Sequence, residues 1–224
     1  MCGRFAQLPL QSPNRLPWPA LTDAFAALPA RYNLAPSQNA GVLIHRDGQT
    51  ELASLHWGLL PFWAKELSLG SHTFNARLES VNEKPAFRAA FKARHAAIPM
   101  AGYYEWKAMP EGKQPYFIHS EHKADTLWIA GLWEPRHALQ TDTSTGSFTL
   151  ITQAAEGIPA EVHNRMPVFI EQRDVEDWLG LSPGPSMPFL LTRSLPPLKV
   201  HPVAKRVNKG VDDDAGLIEP IALL

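Results

Sequence analysis

Apolar residues at Trp18, Leu21, Phe25 and Leu28 have the spacing of one helical face, and Pro29 closes the stretch, so a short amphipathic helix is expected there. Val42–His45 and Glu51–Trp57 are apolar-rich and flank Asp47-Gly48, a dipeptide that supplies the positive φ angles of a tight hairpin. Asn82 to Arg94 reads as a second helix, capped by Asn82, with Pro85 in its first turn and Phe87, Ala90 and Phe91 facing inward. Four strand-like stretches follow, His95–Lys107, Pro115–His119, Leu127–Glu134 and Ser147–Thr152, separated by Gly-, Pro- and Thr-rich loops. Met166–Ile170 reads as a strand, Glu171–Leu179 as a helix ended by Gly180, and Leu198–Val207 as a last strand before an acidic turn at Asp212 to Asp214. The proline-rich Leu181–Pro197 segment reads as a surface loop, because too little chain follows it for a second core. The expected fold is α+β: a single domain over residues 1–224, dominated by antiparallel sheet, barrel-like, with a few short peripheral helices.

Composition narrows this picture. Hydrophobic residues make up 45% of the 224 residues, enough for a substantial core, and the 21 prolines argue against long helical bundles. The chain shows no repeat, no heptad pattern, no bilayer-spanning apolar run and no secretory signal in Met1 to Leu16, so a cytoplasmic protein without a membrane partner is expected. A single cysteine excludes an intrachain disulfide and a cysteine-based zinc site. His119 and His122 have ligand-like spacing but no evident third ligand, so neither a metal nor a cofactor is expected. The net charge of −1 lacks the basic excess of many nucleic-acid-binding domains, and any such contact must rest on a local patch. Arg77, Lys84, Arg88, Lys92 and Arg94 against Glu79 and Glu83 make one, although Lys84, Arg88 and Lys92 also have the spacing of a solvated helix face.

The lone cysteine is Cys2, followed by Gly3 and Arg4. Methionine is ordinarily trimmed when a small residue follows, which would leave Cys2 with both a free α-amine and a thiol. With reference pKa values of ~7.7–8.0 and ~8.5, both are partly reactive near neutral pH. A 1,2-aminothiol attacks an aldehyde through nitrogen and closes through sulfur to a five-membered thiazolidine. Gly3 permits close approach and Arg4 offers a fork for phosphate oxygens. Within Ala101–Trp106, strand alternation puts Glu105 on one face with Tyr103, a carboxyl in aromatic surroundings suited to acid and base work. Phe74-Asn75-Ala76-Arg77 and His163-Asn164-Arg165-Met166-Pro167 add an amide, a proton shuttle and two guanidinium forks. Trp57–Trp63 places Trp63 on a Gly/Pro turn, where its face is available for base stacking.

These stretches together resemble the SOS-response-associated peptidase (SRAP) family of abasic-site processing proteins. The matches run in order: M-C-G-R-F from Met1, R-Y-N-L-A-P from Arg31, W-G-L-L-P-F-W-A from Trp57, N-A-R-L-E from Asn75, G-Y-Y-E-W from Gly102, G-L-W-E from Gly131 and H-N-R-M-P from His163. The resemblance implies a covalent link to abasic sites in single-stranded DNA, through a thiazolidine on the mature N-terminal cysteine. It implies Cys2 as nucleophile, Asn75 orienting the N-terminus and the opened sugar, and Glu105 and His163 as acid and base. It places Gly3, Arg4, Trp63, Arg77 and Arg165 against DNA. The implied protein is a monomer with lyase-like and self-cleaving peptidase activity, cytoplasmic and nucleoid-associated when bound to DNA. Asn164 stands where the family's motif has an acidic residue, His95 where a Cys is common and Ala101 where Asp is common. Two other readings stay open: an N-terminal-cysteine amidohydrolase, since class II glutamine amidotransferases also begin Met-Cys-Gly, and a non-catalytic single-strand-binding module with an inert Cys2.

Overall fold

The computed structural model describes residues 2–10, 16–122, 125–181 and 186–223. Met1, on which the trimming expectation bears, lies outside the described residues, as do 182–185 of the Leu181–Pro197 segment. The described strands are β1 (Phe5–Gln7), β2 (Arg31–Leu34), β3 (Asn39–Arg46), β4 (Gln49–Trp57), β5 (Asn75–Arg77), β6 (His95–Met100), β7 (Gly102–Met109), β8 (Gly112–Ser120), β9 (Leu127–Pro135), β10 (Gly146–Ala154), β11 (Arg165–Pro167), β12 (Phe169–Ile170) and β13 (Leu198–Pro202). Short helices α1 (Thr22–Ala26), α2 (Arg88–Ala93), α3 (Gly157–Ala160), α4 (Val175–Gly180) and α5 (Ser186–Leu191) lie between them.

Two sheets result. The smaller has the order β13-β8-β7-β1-β2, and the larger runs β11-β10-β4-β3-β6-β9-β12 with β5 paired to β10. Because β10 also pairs with β9, the path β10-β4-β3-β6-β9 returns on itself, which is the barrel-like character expected. The larger sheet is not purely antiparallel, since β10 runs parallel to β4 and to β5. Its strands are apolar on both faces for a physical reason. Along β9, Ile129 and Trp133 enter one buried cluster while Trp128, Ala130 and Leu132 enter the other, so neither face meets water and the sequence reads as a continuous apolar run.

The Asp47-Gly48 hairpin forms as expected, with φ of 51° and 77° at its two residues, and joins β3 to β4. The expected single strand His95–Lys107 is instead two, β6 in the larger sheet and β7 in the smaller, broken at Ala101. Gly102 makes that change of sheet possible: a Cβ there would lie 2.3 Å from the Phe117 ring and 2.7 Å from the Ile118 carbonyl oxygen. The Asn82–Arg94 helix is shorter than expected. The N–H groups of Glu83 and Lys84 both bond to Ser80, Pro85 disfavours helix at the residue before it, and α2 begins only at Arg88. Phe87, Ala90 and Phe91 nevertheless face inward. Helix α1 is likewise shorter than the Trp18–Leu28 pattern, preceded by a 3-10 turn at Pro19–Leu21. The Glu171–Leu179 helix divides into a 3-10 turn at Gln172–Asp174 and α4. The Met166–Ile170 strand is split into β11 and β12, and Leu198–Val207 into β13 and a 3-10 turn at Lys205–Asn208. The Leu181–Pro197 segment contains α5, whose Ser186 and Leu190 are buried, so it is not only a surface loop. No described helix is long and apolar enough to cross a membrane.

His95, at the start of β6, is sealed in this core. Its ring lies 4.1 Å from that of Trp178, and Nε2 is 3.0 Å from the Phe91 carbonyl and 3.1 Å from the Ser186 hydroxyl. Burial lowers its pKa to about 4, so the folded protein holds it neutral. The folded value lies below the unfolded one, so this contribution to stability is complete above pH ~6.5 and is lost as pH falls toward 4, by about 3 kcal/mol. Urea midpoints measured between pH 7 and 4 are expected to fall, and His95→Gln is expected to flatten that dependence. An equal slope in both proteins would assign the acid sensitivity elsewhere.

Candidate functional site

Strand β1 is short, but its pairing fixes the start of the chain. Phe5 lies opposite Tyr103, Ala6 opposite Gly102, and the Tyr104 N–H donates to the Arg4 carbonyl at 2.9 Å. The antiparallel register carries Cys2 and Gly3 back along β7 toward Glu105. Phe5 packs edge-on to Trp57 at 4.9 Å, and the Trp57 indole N–H donates to the Phe74 carbonyl at 2.8 Å, fixing the residue before Asn75. Between Trp57 and Asn75 the chain folds tightly on itself: Gly58, at φ 144°, sits so close to Gly70 that a Cβ would lie 2.7 Å from its carbonyl oxygen. Strand β5 then pairs with β10 and delivers Asn75, whose Nδ2 donates to the Cys2 carbonyl at 2.7 Å. Asn75 Oδ1 is buried and has no hydrogen-bond partner among the described residues.

On its other edge β10 pairs with β11, which places the loop carrying His163 near β7. His163 Nδ1 lies 3.8 Å from Glu105 Oε1. The same Nδ1 accepts the Arg165 backbone N–H at 3.0 Å, so the neutral ring carries its proton on Nε2. Asn164 is exposed. Glu105 is 3% exposed, and burial raises its pKa. Cys2 is fully buried, and burial together with the Glu105 carboxylate pushes its thiol up, so sulfur rests as S–H. A cavity of about 490 Å³ opens over Glu105 and His163, with Trp106, Lys113 and Asn208 as its other walls. The arrangement brings a buried thiol together with a protonatable carboxyl and an imidazole at the edge of an open cavity, groups of the kind that acid- and base-assisted covalent chemistry uses.

Four expected residues, Cys2, Asn75, Glu105 and His163, therefore converge. The expected DNA contacts are more varied. Arg77 is exposed at the end of β5. Arg165 is already engaged: both terminal nitrogens reach the Glu79 carboxylate, and Nη2 donates to the Thr152 carbonyl at 2.7 Å, which holds the Glu79 carboxyl below its usual range. Arg4 spends Nη1 on Asn33 Oδ1 and on the Val207 carbonyl, each at 2.8 Å, so it ties the chain's start to its late segment. Trp63 is 43% exposed beside Phe62 at 77%. Gly3 is half-buried next to Cys2. In the basic patch Lys84, Arg88 and Lys92 are exposed, whereas Arg94 is paired with Glu134 at 2.5 Å. His119 Nδ1 lies 2.7 Å from the Ser120 carbonyl, and no cluster of three or more metal-ligating groups occurs among the described residues.

Sequence reasoning missed Asn33, Lys113 and Asn208. Asn33 sits inside the R-Y-N-L-A-P stretch, and its amide donates to the carbonyls of Val207, Lys209 and Asp212, holding that segment beside Arg4. Asn208 in turn accepts from the Trp106 indole N–H at 2.7 Å. Asn208 carries no local signal, because its partner Trp106 lies 102 residues away in sequence.

The sequence profile of the family described as SOS response associated peptidase (SRAP) matches residues 1–210. Among curated relatives, abasic site processing protein YoqW of Bacillus subtilis is 33% identical over 199 residues, covering 84% of this chain and 85% of its own. Abasic site processing protein YedK of Escherichia coli is 27% identical over 235 residues, covering 99% and 100%. Among solved structures, a phage-related protein of Bordetella bronchiseptica superposes with a TM-score of 0.69 at 29% identity, covering 91% of this chain and 95% of that one. A protein of Bacteroides thetaiotaomicron shares the fold with a TM-score of 0.73 at 21% identity, covering 99% and 98%.

Proposed function

The chain belongs to the SOS response associated peptidase family, and from that premise we propose that it captures abasic sites in single-stranded DNA as a thiazolidine on Cys2. The observation that carries this reading is the Asn75 amide on the Cys2 carbonyl, with Glu105 and His163 lining the adjoining cavity. Removal of Met1 frees the α-amine. An abasic sugar is mostly a closed hemiacetal, and Glu105 with His163 moves the protons that open it to the aldehyde. The amine adds to the aldehyde carbon, and the resulting carbinolamine loses its hydroxyl as water when Glu105 supplies a proton. The thiol then adds to the C=N carbon, and its proton returns to the Glu105 carboxylate. One water leaves overall, and holding sugar and cysteine together substitutes proximity for concentration. The thiol rests protonated, so nitrogen attacks first. Self-removal of the residue ahead of Cys2 is our reading of the peptidase activity in the family's description.

A single-stranded oligonucleotide with one abasic site is expected to give a denaturant-stable band with the mature protein and none with Cys2→Ala. No band with the mature protein would overturn the reading and favour the inert binding module. The lesion offers no base edge, so binding rests on phosphates and stacking and has little sequence preference. Exposed Arg77 is the clearest phosphate ligand. Arg77→Ala is expected to weaken binding alike across sequences and to reduce the slope of log affinity against log salt by about 0.7. An unchanged slope removes Arg77 from the interface.

A further inference from the structure

Tyr103 and Tyr104 are neighbours on β7 with opposite fates. The Tyr104 hydroxyl donates to the Tyr32 carbonyl at 2.7 Å. The Tyr103 hydroxyl is buried, its residue fully inaccessible, and has no hydrogen-bond partner among the described residues. A buried O–H left unpaired is destabilising, so its retention calls for a partner that arrives during function. The surroundings identify that partner. Tyr103 shares a face of β7 with Glu105, belongs to the same apolar cluster as Cys2, and lies close enough to both for their charges to act on it. Burial together with those charges keeps the phenol protonated, so it serves as a donor and never as a base.

The step that lacks a donor is ring closure. As sulfur adds to the C=N carbon it passes its proton to the Glu105 carboxylate, and negative charge grows on a buried atom beside a carboxylate. Among the described residues the Cys2 sulfur contacts the Arg4 carbonyl oxygen at 3.9 Å, an acceptor that cannot stabilise that charge. We propose that Tyr103 is a positioning residue whose hydroxyl donates a hydrogen bond to the Cys2 sulfur during thiazolidine closure and reopening, while keeping its own proton. The proposal rests on the covalent reading above and deepens it, by giving sulfur a hydrogen-bond donor of its own beside the proton carrier Glu105.

The test is Tyr103→Phe in the mature protein, mixed with a single-stranded oligonucleotide carrying one abasic site. Borohydride quenching at successive times traps the Schiff base, and denaturing electrophoresis without it counts the closed thiazolidine. Expected is an unchanged rate of Schiff-base formation with thiazolidine closure slowed about 10–100-fold, so that trappable intermediate accumulates. Thermal stability is expected to be unchanged or raised, because no resting hydrogen bond is removed, whereas Tyr104→Phe is expected to be destabilised. Closure at the parent rate would overturn the proposal, as would equal slowing of both steps. A loss of stability in Tyr103→Phe would also overturn it, by showing that the hydroxyl is already paired. If the unmodified protein forms no adduct at all, it is the covalent reading that fails, a distinct result from the variant matching its parent.

Discussion

A chain forced to keep an N-terminal extension ahead of Cys2 is expected to yield no denaturant-stable adduct with abasic single-stranded DNA. With a residue in front, the Cys2 nitrogen is an amide whose lone pair is delocalised into the peptide bond, so it can neither form a Schiff base nor belong to a thiazolidine. Only the thiol is left. It is fully buried and held protonated, and a thiohemiacetal would fall apart on denaturation. Sterics act in the same direction, because the Asn75 amide already fixes the Cys2 carbonyl at 2.7 Å and leaves little freedom to turn an added residue away. The comparison is between intact mass and gel shift: the active form should be lighter by one methionine, and the extended form should stay at the free-protein position. A stable adduct from the extended form, mapped to another residue, would overturn both the N-terminal mechanism and the role of Cys2.

Glu105→Gln should slow crosslinking by ~10²–10⁴-fold, about 3–5 kcal/mol of activation free energy, while DNA affinity changes little. The amide keeps the shape of the side chain but exchanges no proton, and three steps need Glu105 to exchange one: sugar opening, loss of water, and ring closure, in which it takes the proton back from sulfur. Its burial at 3% exposure is what makes the side chain effective, since burial raises its pKa and favours the proton-bearing form. His163→Ala should be milder, because His163 stands at the cavity's edge where a water can relay the proton. The rate should fall at high pH as Glu105 loses its proton, a limb that Glu105→Gln should lack. Equal crosslinking rates for parent and variant would remove Glu105 from the chemistry.

Legibility in the sequence followed the range of the interactions concerned. The Asp47-Gly48 hairpin was legible because two adjacent residues set its geometry. Burial of Phe87, Ala90 and Phe91 was legible because helical spacing encodes a face. The motif order made Cys2, Asn75, Glu105 and His163 candidates, and the sheets bring them together. The break at Ala101 was hidden, because apolar residues lie on both sides of it and the strands part only through distant partners, β6 with β3 and β9, β7 with β1 and β8. Parallel pairing of β5 with β10 was hidden because its three residues have no pattern apart from their partner. The engagement of Arg165 with Glu79 was hidden for the same reason: 86 residues separate the two.

The tie from Arg4 to Val207 spans 203 residues. Asn33 and Asp213 make the same connection, Asp213 accepting from Arg31 Nε and from the N–H of Asn33. Translation at about 5–20 residues per second therefore separates the two halves of this tie by about 10–40 s. During that interval the nascent chain carries its cysteine without the late segment that locks Arg4 in place, and its N-terminus is open to processing enzymes. Emergence of the amino end and completion of the tie thus fall in a fixed temporal order. A chain that stops short of Val207 cannot complete the tie.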